Sequence, residues 1–341
     1  MLCLLLFGLL LLGLGACGRA ETKNKKKIRV GITLYDQYDT FLSEFMRFFE
    51  EAASRQRAEG YEINIEIYDA ATSQRTQNEQ VAEMIQNGCD ILCVNLVDRT
   101  APTEIIDSAK RKDIPVIFFN RELVEEDLLQ WNRLYYVGAD ATESGVMQGE
   151  LAAEDILGAC TDGISAYDKN RDGAIQYIVL EGEAGHQDAI VRSEYCVNTL
   201  IAAGVRVDKL GYAIGNWNRA EAQTKMTRLY QELGDSIELI FANNDDMALG
   251  AIDTYREQGV PSARRPLIYG IDGTKVGRAA VRDGTMAGTV YNDARGQAEQ
   301  MFALCFRLGI GEELGDLPLR DGKYIRLPYE KIRMNNVEEY E

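Results

Sequence analysis

Short apolar runs rich in β-branched residues alternate along this chain with longer polar stretches of helical period. In the first half the runs are IRVGITLY (28–35), EINIEIYDA (62–70), DILCVNLVD (90–98), IPVIFFN (114–120) and LYYVGAD (134–140). In the second half they are IQYIVLEGE (175–183), VDKLGYAIG (207–215), IELIFANND (237–245), LIYGIDG (267–273) and AGTVYND (287–293). Runs of this kind suit a parallel sheet covered on both faces. Stretches such as TFLSEFMRFFEEAASRQRAEG and NRAEAQTKMTRLYQELGD have the apolar stripe of crossover helices. The spacing predicts an α/β chain of two similar doubly wound parallel-sheet domains in tandem, five strands answering five. A final helix over 294–309 and a late strand around Tyr324 to Pro328 have no counterpart in this count and are expected to cross back and tie the domains together.

Ahead of this pattern the first sixteen residues, MLCLLLFGLLLLGLGA, carry no charge and end at Cys17, too short a run for a comfortable membrane span. Residues 1–16 read as a signal peptide, and Leu14-Gly15-Ala16-Cys17 looks like a bacterial lipobox in which Cys17 is lipidated. Residues 17–27 then form a polar, lysine-rich tether, which places the body outside the cytoplasm, lipid-anchored at the outer face of the membrane or periplasmic. The absence of a basic segment at the start suggests that translation begins further upstream.

The formal charge of −17 argues against a nucleic-acid partner and favours a small or neutral one. Of seven cysteines, Cys3 and Cys17 lie in the leader. Cys89, Cys93, Cys160, Cys196 and Cys305 are scattered without CxxC spacing and read as buried small hydrophobes rather than a disulfide framework or a metal set.

In open parallel sheets ligands sit beyond the carboxyl ends of the strands. The residues just after the runs are Asp39 and Phe41, Asn95, the group His186, Asp188 and Arg192, Trp217, Asn244, Asp272 and Asn292. Each alone is an ordinary loop residue or helix cap; their recurrence at strand ends of two domains points to a shared ligand. His186 is the only histidine in the chain. No GxSxG elbow accompanies it for nucleophilic catalysis, and one histidine falls short of a zinc ligand set. Carboxylates, amides, a guanidinium and an imidazole suit the hydroxyls of a pyranose, each of which donates and accepts. Phe41 and Trp217, from opposite domains, offer rings for its C–H faces.

Asp168-Lys169-Asn170-Arg171-Asp172-Gly173-Ala174-Ile175-Gln176 matches D-x-N-x-D-G of a calcium loop, with oxygens at positions 1, 3, 5, 7 (the Ala174 carbonyl) and 9. Position 12 is Val179 and a strand follows, so this is not an EF-hand; an Asx-rich turn without an ion is the alternative.

From Ile28 to the C-terminus the chain resembles the D-galactose/D-glucose-binding proteins of bacterial ABC transporters, within the type I periplasmic sugar-binding proteins. The resemblance runs through RVGITLYDQYDTFLS, NLVD, IPVIFFNRE, YYVGAD, ESGVMQGE, DKNRDGAIQ, GEAGHQDA, FANNDDMALGA, GIDG and AGTVYNDA. It implies an N-terminal lobe of 28–138 plus 293–326 and a C-terminal lobe of 139–292 plus 327–341, joined by a three-segment hinge around a cleft. It implies that Asp39, Asn95, His186, Asp188, Arg192, Asn244, Asp272 and Asn292 bind sugar hydroxyls while Phe41 and Trp217 stack on the ring. It also implies a structural calcium ion held by Asp168, Asn170, Asp172, the Ala174 carbonyl, Gln176 and Glu238. The expected partners are galactose or glucose, a transporter permease and the membrane through the lipid anchor, with a chemoreceptor or sensor as a further candidate; nothing requires more than a monomer. A binding protein for another monosaccharide and a sugar sensor for a membrane receptor are the alternatives. An enzyme is not expected, since a glycosidase needs two carboxylates flanking a scissile bond in an accessible groove.

Overall fold

The computed structural model describes residues 27–340. The expected signal peptide and Cys17 lie outside the described residues. Lys27, read as the end of the tether, is instead the first strand residue, in register with Glu62.

In chain order the elements are β1 (Lys27–Leu34), α1 (Thr40–Ala58), β2 (Glu62–Asp69), α2 (Gln74–Gln86), β3 (Ile91–Val94), α3 (Thr103–Arg111), β4 (Val116–Phe119), α4 (Glu125–Leu128), β5 (Leu134–Gly138) and α5 (Ala141–Gly158). There follow β6 (Cys160–Thr161), β7 (Ile164–Ser165), β8 (Ile175–Glu181), α6 (Gln187–Ala202), β9 (Val207–Ile214), α7 (Arg219–Leu233), β10 (Leu239–Ala242), α8 (Asp245–Glu257), β11 (Leu267–Tyr269) and α9 (Lys275–Arg282). The chain closes with β12 (Thr289–Asn292), α10 (Ala294–Ile310), β13 (Tyr324–Arg326) and β14 (Tyr329–Ile332).

Two parallel sheets result. The first has six strands in the order β13-β5-β4-β3-β1-β2; the second has four, β11-β10-β8-β9. The expected equality of five and five gives way because the returning chain adds β13 beside β5, while β12 pairs antiparallel with β14. β12 touches the second sheet only through isolated parallel bridges, Tyr269 with Gly288 and Asp272 with Tyr291. The chain leaves the first sheet after β5, comes back through α10 after β12, and leaves again between β13 and β14.

Strand alternation buries both faces of each sheet. In the first, Ile32, Cys93, Ile117 and Val137 pack under α1 and α10, while Leu92, Phe118 and Tyr136 pack on the other side. In the second, Ile178, Leu180 and Ile240 face one core, and Val179, Leu239 and Phe241 the other. Cys89, Cys93, Cys196 and Cys305 are buried as expected; Cys160 is exposed on the β6–β7 hairpin, against the sequence reading.

Candidate functional site

Three helices begin at the strand ends where polar side chains recur, and each is capped by one of them. Asp39 caps α1, accepting from the Leu42 N–H at 2.8 Å, and its second oxygen accepts from the Tyr35 hydroxyl at 2.7 Å. His186 caps α6, its Nδ1 accepting from the Asp188 N–H at 3.1 Å, so the neutral ring carries its proton on Nε2. Asn244 caps α8, accepting from the Met247 N–H at 2.9 Å and donating to the Trp217 carbonyl at 3.0 Å. Orphan N–H groups at helix starts thus hold site side chains in fixed orientations.

These caps meet in one cavity between the lobes. Tyr35, Asp39, Phe41, Asn120 and Arg121 line it from the first lobe, and His186, Asp188, Arg192, Trp217, Asn244 and Asp272 from the second. Eight of these were singled out from the sequence; Tyr35, Asn120 and Arg121 were not. The remaining two, Asn95 and Asn292, stand behind the wall. Asn95 is fully buried, accepting from the Tyr35 N–H at 3.2 Å and donating to the Phe119 carbonyl and to Asn120 Oδ1, each at 3.1 Å. Asn292 accepts from Gln297 at 2.5 Å and turns its Nδ2 to Asp272 at 3.5 Å. It lines an adjoining recess of about 180 Å³ that also touches Phe41 and Asp272.

Arg192 is the electrostatic centre of the second wall. Only 4% exposed, it donates to the Asn243 carbonyl at 2.8 Å and to the Tyr329 hydroxyl at 3.2 Å. Asp188 lies 3.6 Å from it and Asp272 4.0 Å. Its Nε and the indole Nε1 of Trp217 are buried without a hydrogen-bond partner. Unpaired buried donors are costly, and a ligand oxygen would relieve that cost. Burial pushes the His186 pKa down to about 3, with Arg121 and Arg192 acting in the same direction and Asp188 against it. Burial raises the Asp272 carboxyl well above its usual range, opposed by Arg192.

Trp217 stands edge-on to His186, ring centres 5.1 Å apart, on a backbone of positive φ (62°). A Cβ at residue 182 would lie 2.1 Å from the indole, so only glycine leaves room for the ring at the end of β8. Cross-lobe contacts bring the walls together. Arg121 Nη2 reaches Glu183 at 3.0 Å, Thr40 donates to Asp246 at 2.5 Å and the Lys275 N–H donates to Glu44 at 3.0 Å. The Arg121 guanidinium also lies 3.4 Å over the Tyr35 ring centre. With these contacts made, the cavity encloses about 40 Å³, room for little more than a water molecule or two. A ligand of monosaccharide size therefore fits only when the walls stand further apart.

The DKNRDGAIQ loop lies apart from this cleft, between α5 and β8. Asp168, buried, accepts from the Asp172 and Gly173 N–H groups at 3.2 and 2.8 Å, and Asp172 accepts from the Ala174 N–H at 2.8 Å. The Ala174 N–H and the Asn170 amide hold the Asp172 carboxyl below the usual range. Asn170 and Gln176 bond each other and Asp172. Glu238 reaches the loop from the start of β10, accepting from the Lys169 and Gln176 N–H groups at 2.5 and 3.0 Å. Among the described residues, no group of three or more His, Cys, Asp or Glu side chains converges as a metal site. The loop's donors are instead a mixture of carboxylate, amide and carbonyl oxygens, the hard set that calcium takes.

Known proteins place this architecture. Residues 30–313 match the periplasmic binding protein domain family. The chain is 32% identical over 329 residues to the D-galactose/methyl-galactoside binding periplasmic protein of Haemophilus influenzae, covering 95% of each. It is 28% identical over 310 residues to a xylitol-binding protein of Mycolicibacterium smegmatis, covering 90% of this chain and 80% of that one. Among solved structures, an ABC transporter solute binding protein from Bacillus halodurans with bound myo-inositol superposes with a TM-score of 0.76 at 25% identity, covering 94% of this chain and 99% of that one. With the family matched over most of its length and the fold shared throughout, this chain belongs to the periplasmic binding proteins.

Proposed function

We propose that the protein is an extracytoplasmic receptor that captures a hexose, D-galactose or D-glucose, between its lobes and delivers it to an ABC-transporter permease. The observation that carries this reading is the interlobe cavity in which Asp39, His186, Asp188, Arg192, Asn244 and Asp272 converge with the rings of Phe41 and Trp217. Carboxylates and a guanidinium satisfy neighbouring hydroxyls in pairs, and the two rings sandwich the C–H faces. Asn95 and Asn292 act by orienting Tyr35, Asn120 and Asp272. The 32% identical relative supports galactose in particular. No bond is made or broken; the work is hinge closure about the connections near residues 138, 292 and 326, with the ligand contacting both lobes only in the closed form.

Calorimetric titration with galactose, glucose, ribose, xylitol and myo-inositol tests this. Submicromolar binding of one or both hexoses is expected; preference for ribose, xylitol or inositol, or silence toward all five, overturns the assignment of ligand.

The DKNRDGAIQ loop is proposed to hold a calcium ion through Asp168, Asn170, Asp172, the Ala174 carbonyl, Gln176 and Glu238, and Cys17 to carry a lipid. The oxygen-only donors and the approach of Glu238 support the first. When bound, the ion neutralises the loop's carboxylates. Chelator is expected to lower the melting temperature of the wild type but not of Asp172→Ala, with hexose affinity unchanged within about threefold in both; equal melting with and without calcium overturns the ion site.

A further inference from the structure

Cys93 and Cys305 lie 212 residues apart in sequence, yet their Sγ atoms are 3.3 Å apart. Cys93 sits in β3, two residues before Asn95, and Cys305 sits in α10, which lies across that face of the sheet. Both are fully buried in one core with Ile32, Ile117 and Met301. No other pair of described cysteines makes such a contact; Cys89 and Cys196 are each buried apart and Cys160 is exposed. We propose that Cys93 and Cys305 are joined by a disulfide in the mature protein, a covalent tie between the central strand of the first lobe and the helix that returns the chain from the second. This rests on the extracytoplasmic setting of the family, where disulfides form and persist, and not on the identity of the ligand.

At 3.3 Å the sulfurs stand little more than about 1 Å beyond the bond length of about 2 Å. The oxidant is a disulfide, either small-molecule or carried by a thiol oxidoreductase. One cysteine thiolate attacks it, releasing one thiolate and leaving a mixed disulfide; the second cysteine thiolate displaces the other sulfur. The two cysteines give up two protons and two electrons, and the oxidant becomes two thiols. Once α10 has docked, neither sulfur meets solvent and burial disfavours the Cys93 thiolate, so the bond forms before docking completes and afterwards resists reductants.

The full chain is unfolded and refolded in glutathione buffers of graded redox poise, acid-quenched, alkylated in denaturant and digested. In oxidising buffers the peptides carrying Cys93 and Cys305 are expected as one linked species, two hydrogens lighter than their sum, with Cys89, Cys160 and Cys196 alkylated. The linked protein is expected to melt roughly 5–10 °C above the reduced one. A Cys93→Ala/Cys305→Ala variant, if it folds, shows no such dependence on reductant. Full alkylation of both cysteines in every buffer, linkage to a different cysteine, or a linked form that melts no higher than the reduced one overturns the proposal.

Discussion

The two walls of the cleft solve the same task with different means. On the first-lobe side most polar atoms already serve their own lobe: Asp39 caps α1 and accepts from Tyr35, Asn95 braces Tyr35 and Asn120, and Arg121 lies over the Tyr35 ring and donates to the Val97 carbonyl while its Nη2 crosses to Glu183. On the second-lobe side Arg192 and Trp217 keep buried donors without partners, in a wall fixed by Tyr329, Asn243 and the close fit of Gly182. A donor left unpaired in a rigid, dry wall is an anchor in waiting, whereas a residue occupied at home must be released or shared. On the proposed function, the second lobe is expected to receive the ligand and the first to close over it.

The largest effect is expected at the anchor. Arg192→Ala strands Asp188 and Asp272 and should weaken hexose binding by about 1,000-fold or more, with melting lowered as well. Titration and a melting curve check both; near-native affinity would mean the second wall is not where the ligand is held. On the opposite wall, Asp39→Ala should cost about 10- to 100-fold in affinity and about 1 kcal/mol of stability through the lost cap. Asp39→Asn keeps a capping oxygen, so it should restore stability more than affinity, separating the residue's two duties.

His186 sharpens the contrast through pH. Its folded pKa, near 3, lies below the ordinary value of about 6.5, so the unfolded chain binds the proton first as pH falls. Its contribution is complete above about pH 6.5 and is lost as pH drops toward 3, at no more than about 1.4 kcal/mol per pH unit. Denaturant midpoints across that window should fall less steeply for His186→Gln than for the wild type; parallel curves would remove the histidine from the account. The smallest effect belongs to the rim. Glu183→Gln loosens the bond to Arg121 across the cleft and should weaken binding only about two- to fivefold, with a reduced dependence on salt.

Much of this was legible because a buried parallel strand writes itself as a contiguous β-branched run, and a ligand-facing residue comes just after it. Ile91–Val94 and Val116–Phe119, buried throughout, show why. The fate of β12 was not legible, since its partner is a strand that follows only after α10 and β13. Arg121 carries no local signal in FFNRE; that it is 4% exposed depends on Tyr35 and Glu183, brought near by other segments. Asn95 and Asn292 were correctly placed at strand ends, but which side of the wall an amide serves is decided by neighbours such as Phe119 and Gln297. Glu238 had no local signal at all; only the family resemblance joined it to a loop more than sixty residues earlier.

The chain has two tryptophans, and they are unequally placed. Trp131 packs at the margin of a first-lobe core, while Trp217 stands inside the cleft with His186 at its edge and Arg192 5.9 Å from its ring. An indole whose N–H is sealed from water and whose neighbours rearrange when the lobes part is a built-in optical probe. Its emission should move with closure while Trp131 supplies a steady background, so the receptor reports its own occupancy without a label.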